Sequence, residues 1–208
     1  MHPKISRVWL VVAICLVTAV ASLAQSKALT PEERETALKS LQATHDAFLQ
    51  SISGLSEKQW RFKPAPDRWS VAEVSEHITV SESTLFGLVQ KTEAGPPTPE
   101  KRSEVKVTDV QILQMVPDRS HKAQAPEFLK PTGRWATRDQ LKRSFEDARK
   151  ATMDYVKTTQ DDLRDHFETH PLLGPMDAYQ WILLISAHSE RHTKQIEEVK
   201  ADPNFPKE

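Results

Sequence analysis

Three histidines have the type and spacing to do chemistry in this 208-residue chain: His77, His188 and His192. The run His188-Ser-Glu-Arg-His192 has an i, i+4 spacing, which on an α-helix puts both imidazoles on one face, about one turn apart. Neutral imidazole is the commonest metal-ligating side chain. Two imidazoles in a rigid line, joined by a third from a facing helix, suit a divalent ion that keeps one coordination position open. The competing account is a histidine core hydrogen-bonded to Ser81, Glu73 or Gln195. Helix phase turns the three residues inward, because His188 and His192 share a stripe with Trp181, Leu184, Ile185 and Ile196, while His77 continues the stripe of Val74 and Ile78. A buried polar group without a partner costs about 1–3 kcal/mol, and a shared metal satisfies all three rings at once.

The remaining histidines are weaker candidates. His45 also falls on an inward stripe, as a fourth contributor or an ordinary core residue. His121, His166 and His170 fall in connections, with His170 before Pro171 serving a turn. The chain lacks His-Glu-x-x-His, so a zinc-protease helix with its built-in glutamate base is absent. Glu190 points elsewhere on its helix. Glu73, one turn before His77, is the best general-base candidate, against a role as a helix-capping partner. Arg191 and Gln195 are candidates to support the ligands or orient a substrate. Trp60, Trp69 and Trp181 read as packing anchors.

The elements that must position these residues are helical. Glycine is scarce, proline is bunched between segments, and apolar residues recur at steps of three and four. Thr30-Pro-Glu-Glu33, Ser70-Val-Ala-Glu73 and Thr137-Arg-Asp-Gln140 are helix-start boxes, and Asp177-Ala-Tyr-Gln180 is a looser fourth. They predict helices from about Thr30 to Ser53, Ser70 to Lys91, Thr137 to Thr159 and Asp177 to Lys200. Expected inward stripes are Leu38, Leu41, His45, Phe48, Leu49 and Ile52 on the first, with Gly54 ending it. The second carries Val74, His77, Ile78, Leu85 and Leu88, and the third Leu141, Phe145, Ala148, Met153 and Val156. Trp181, Leu184, Ile185, His188, His192, Ile196 and Val199 line the fourth. Rods of about 35 Å bury a common seam in a bundle. The expected fold is an all-α four-helix bundle with a long, proline-rich connection between helices 2 and 3, from Pro96 to Pro131, in which Thr108 to Met115 adds a short helix.

Residues 1–24 read as a signal peptide. Lys4 and Arg7 precede the apolar run Val8 to Ala21, and Ser22-Leu23-Ala24 offers a cleavage site. The run is nearly long enough to persist as an anchor, but its flanks favour cleavage. Residues 25–208 then form one domain, periplasmic or secreted and with no membrane attachment after cleavage. The only cysteine, Cys15, lies in the removed segment, so neither a disulfide nor a cysteine nucleophile is expected. About 180 residues suffice for one sizeable core. Without Lys4 and Arg7, 26 basic residues stand against 29 acidic ones, a net charge near −3 that gives nucleic acid no electrostatic reason to bind.

Two motifs resemble a known family. Asp67-Arg-Trp-Ser-Val-Ala-Glu73, with Val74-Ser-Glu-His-Ile78, looks like the second-helix signature of the DinB-like (DinB/bacillithiol-transferase-type) metalloprotein superfamily. His170-Pro-Leu-Leu-Gly174, Trp181 and His188-Ser-Glu-Arg-His-Thr-Lys-Gln-Ile196 resemble its last-helix signature. The resemblance covers about Thr30 to Lys200. It implies a four-helix bundle in which His77, His188 and His192 hold a divalent metal, usually zinc or nickel. It also implies activity on a small-molecule substrate, as a metal-dependent hydrolase or a thiol S-transferase drawing on bacillithiol, mycothiol or glutathione, and frequent homodimers. Export is a departure that matters, because low-molecular-weight thiols are chiefly cytosolic. A non-catalytic bundle that binds a metal or ligand is the alternative.

Overall fold

The computed structural model describes residues 28–121 and 124–207, so the expected signal segment at residues 1–24 lies outside the described residues. Four long helices form the bundle: α1 (Pro31–Ser51), α3 (Val71–Glu93), α5 (Arg138–Thr158) and α6 (Ala178–Lys200). Two short ones, α2 (Glu57–Arg61) and α4 (Asp109–Met115), lie in the connections. In each of the six, a Ser, Thr or Asp side chain accepts the N–H three residues on, and a Glu or Gln at that position reaches back to the cap residue's own N–H. At α1 the chain breaks after Ser51, and Gly54 takes the left-handed φ of +69° that follows.

Around the bundle α1 packs on α6, α6 on α3, α3 on α5 and α5 on α1, while α4 leans on α6. Two apolar clusters fill the seam. At one end Val71 and Val74 share a cluster with Phe48, Phe145, Ile196 and Val199, and at the other Val89 joins Leu41, Val156 and the first three turns of α6. Thus α3 and α6 run antiparallel, with His77 level with the C-terminal half of α6. Every residue of α3 from Val74 to Glu82 is buried, and so is every residue of α6 from Ala178 to Ala187. A single stripe per helix does not describe them, because the connections cover their outer faces.

The inward stripes of α1 and α5 differ from expectation by a small rotation. Ala37, Leu41, Thr44, Phe48 and Ser51 are buried in α1, and Leu141, Phe145, Arg149, Thr152 and Val156 in α5. Arg149 occupies the centre with no exposed surface. Its Nε and Nη2 donate to the Glu82 carboxylate at 2.8 and 2.5 Å, Nη1 donates to Thr44 Oγ1 (2.8 Å) and the Leu41 carbonyl, and Nη2 reaches Ser189 Oγ (3.1 Å). All five guanidinium N–H groups are used, and one residue ties α1, α3, α5 and α6 together.

The all-α expectation is modified by one hairpin. β1 (Phe167–His170) pairs antiparallel with β2 (Gly174–Asp177), and the strand runs straight into the α6 cap. Gly174, at φ +79°, closes the turn. Asp177, fully buried, caps α6 and receives Arg164 at 3.0 Å and Arg102 at 2.7 Å; Arg164 also reaches Glu33 and Asp109. Burial pushes the Asp177 carboxyl up, and the Arg164 charge opposes the shift. The start of α6, the helix that carries His188 and His192, is therefore pinned to three other parts of the chain.

Candidate metal centre

His77 comes from the buried middle of α3, and His188 and His192 come from successive turns of α6. The structure brings all three together. His77 Nε2 lies 3.2 Å from His188 Nε2 and 3.2 Å from His192 Nε2, and the three nitrogens fall within 4.8 Å of one another. Zn–N bonds of about 2.0–2.1 Å in a tetrahedral site put ligand nitrogens about 3.3–3.4 Å apart, so the spacing matches a shared ion.

Tautomers sharpen that fit. His77 Nδ1 faces the Leu129 carbonyl at 2.9 Å and must carry the proton it donates. His192 Nδ1 faces Gln195 Oε1 at 2.8 Å, and the amide orientation is assigned by Arg119, which donates to the same oxygen at 3.4 Å. Both Nε2 atoms are then bare lone pairs pointing at each other, an arrangement repulsive for two neutral rings and relieved by a cation between them. Trp69 packs on His77 with ring centres 5.0 Å apart, fixing the ring plane.

The electrostatics favour neutral rings. Burial pushes the His188 ring down to about 3, and charge on His77, Arg191 or His170 lowers it further. His192 is held well below the usual range by burial and by His188 and His77, with Gln195 opposing. His77 is lowered by burial against the pull of the Leu129 carbonyl. Neutral imidazoles are the ligating form. His77 is buried while His188 and His192 are half-buried, so the cluster opens on its α6 side.

Other candidates go elsewhere. His45 is outside the cluster: it pairs with Asp46 at 2.8 Å and stacks on Phe145, because its position on α1 lies at the edge of the buried stripe. Glu73 completes the α3 capping box and pairs with Lys63 at 2.8 Å, which holds its carboxyl below the usual range against the effect of burial. Arg191 donates to the Val116, Asp118 and His121 carbonyls and so clamps the loop after α4. His170 Nδ1 accepts the Leu172 and Leu173 N–H groups, a turn role, while its ring packs on Trp181. Sequence reasoning missed Leu129, whose backbone carbonyl has no side-chain signature. It also missed Glu76, 5% exposed, which accepts N–H bonds from Thr132, Gly133 and Arg134.

Comparison with known proteins agrees with this fold. YuaE of Bacillus subtilis (strain 168) is 25% identical over 149 residues, 72% of this chain and 88% of YuaE. Among solved structures, the fold is similar to that of YfiT from Bacillus subtilis, described as a probable metal-dependent hydrolase with an unusual four-helix bundle topology. That match has a TM-score of 0.57 at 13% identity and covers 86% of this chain and 91% of YfiT. The pattern of the DinB superfamily matches residues 40–196, a span that contains all three histidines and all four bundle helices in whole or in large part, and the chain belongs to that superfamily.

Proposed function

We propose that this chain is an exported, metal-dependent hydrolase that holds zinc or nickel through His77, His188 and His192 and acts on a small molecule. The observation that carries the reading is the convergence of bare Nε2 lone pairs at 3.2 Å, fixed by the Leu129 and Gln195 acceptors behind the rings. When bound, such an ion supplies a Lewis acid and brings the pKa of a coordinated water towards neutrality. The chain's own part is to keep three imidazoles neutral, to lock two of their tautomers and to leave the α6 side open to solvent. Hydrolysis is favoured over thiol transfer for two reasons. The sequence of residues 1–24 reads as an export signal, which takes the chain away from cytosolic thiols, and YfiT is described as a probable hydrolase.

A second reading is a bundle that binds metal without catalysis. It is favoured by the engagement of Glu73, the best base candidate, with its helix cap and Lys63. Elemental analysis of mature protein isolated without affinity metals tests the site. Close to one divalent ion per chain is expected, lost in His188→Ala and His192→Ala with helical circular dichroism intact. Stoichiometric metal in the double variant refutes the ligand assignment. Chelation and readdition of zinc or nickel across ester, amide and phosphoester substrates then separates the readings: hydrolysis that follows the metal supports the first, and retained metal with no hydrolysis supports the second.

A further inference from the structure

Glu76 and His77 leave adjacent positions of α3 and reach the same stretch of the long connection. The buried Glu76 carboxylate accepts N–H bonds from Thr132 (2.7 Å), Gly133 (2.8 and 3.1 Å) and Arg134 (3.2 Å). Three successive backbone N–H groups converging on one acid form an anion nest, filled here by the protein's own side chain. Gly133 makes the curl, at φ +79°. A few residues earlier, Leu129 ends a single 3₁₀ turn at Glu127–Leu129, its N–H donating to the Pro126 carbonyl, and its own carbonyl accepts the His77 Nδ1 proton. The Arg134 guanidinium returns to the Phe128 carbonyl at 3.0 Å, tying the two ends of the loop to each other. The segment from Leu129 to Arg134 is thus slung between neighbouring side chains of one rigid helix.

We propose that Glu76 is a positioning residue for the metal centre: by gripping Thr132–Arg134 it holds the Leu129 carbonyl where it keeps the His77 proton on Nδ1 and leaves Nε2 bare. Among the described residues Leu129 is the one acceptor for His77 Nδ1, so a shifted loop releases the ring to place its proton on Nε2, the ligating atom. Glu76→Gln keeps the side-chain length but turns an amide N–H₂ towards a nest made only of donors. Gly133→Ala disturbs the loop from the other side. Its Cβ meets nothing within 4 Å, so the perturbation is the left-handed backbone alone.

The inference rests on the metal reading above, but its first readout needs no metal. Long-range ¹H–¹⁵N spectra of the metal-free full chain should show His77 as the Nδ1–H tautomer, and mixed tautomers in Glu76→Gln. Cobalt(II) titration should give an affinity about 10–100-fold weaker in Glu76→Gln, the usual scale for losing the partner behind a ligating histidine. Gly133→Ala should weaken it in the same direction by less, and it carries the test if Glu76→Gln does not fold. Unchanged His77 tautomer and cobalt affinity within twofold of the parent overturn the proposal, whatever happens to thermal stability. An unsubstituted chain that fails to bind cobalt counts against the metal reading instead, while the tautomer spectra still decide what Glu76 does.

Discussion

Arg149→Met is the perturbation that most directly tests how the bundle holds its three clustered histidines in register. The substitution keeps the volume of the stem and deletes a guanidinium whose five N–H groups are all engaged. Glu82, 1% exposed, then keeps one of its three donors, the Ser189 hydroxyl at 2.5 Å. Removing one partner of a buried pair and stranding the other charge costs about 3–5 kcal/mol. For a domain of this size each kcal/mol shifts the melting temperature by about 2–4 °C, so a fall of about 6–20 °C is expected. Replacing both partners, in Arg149→Met with Glu82→Leu, should recover most of the loss, because apolar pairs commonly equal or exceed the buried ion pair they replace. Urea unfolding followed by circular dichroism on parent, both single variants and the double completes the cycle. A single Arg149→Met variant within 1 kcal/mol of the parent, or a double variant no better than the sum of the singles, would refute the reasoning. Ser189 lies between His188 and His192 and donates to Glu82, so metal affinity of the restabilised double variant reads a separate quantity. Affinity that stays low while stability returns means the network sets the register of α3 and α6 as well as their association.

Two further outcomes are expected. Gln195→Leu should weaken metal binding about 10–100-fold by freeing the His192 tautomer, while Gln195→Glu, which still accepts the Nδ1 proton, should hold the parent affinity or exceed it; calorimetric titration measures both. The metal-free protein should lose stability as pH falls from 7 to 5. All three histidines are depressed in the folded state, His188 to about 3, so within this window the unfolded chain, titrating near 6.5, binds more protons. Each such histidine contributes a slope approaching about 1.4 kcal/mol per pH unit, the window lies above most carboxylate titration, and a urea midpoint that is flat from pH 7 to 5 contradicts the neutral cluster.

The bundle was legible because each long helix announces its own start. Thr30, Ser70, Thr137 and Asp177 all cap where the boxes placed them, and the four helices end within a few residues of expectation. The three histidines were legible because His188 and His192 obey helix periodicity and His77 follows an apolar stripe. Arg149 was not, because a charged residue in a polar helix reads as solvated, and Ala148 next to it looked like the better core residue. A signal did exist: Leu141, Phe145, Arg149, Thr152 and Val156 keep one inward rhythm, and Val74, Ile78 and Glu82 keep another. Opposite charges at the centres of two such stripes mark a buried pair. No comparable signal exists for Leu129, because what it offers is a backbone carbonyl. The hairpin at Phe167–Asp177 was hidden for another reason: its strands are four residues long, Pro171 sits in the turn and Pro175 within the second strand.

The placement of these features bears on how the site forms. Zinc-finger domains are assembled by their metal, since the apo chain lacks a core. In this bundle two apolar clusters, the Arg149–Glu82 pair and the Arg164 group at the α6 cap hold the four helices without any ligand atom taking part. His77 is anchored by Trp69 and Leu129, and His192 by Gln195, so the positions of these rings are set by contacts that involve no ion. A centre built in this way should empty on chelation without unfolding. It should also refill without a refolding phase, because only the rings, and not the helices, have anything to rearrange.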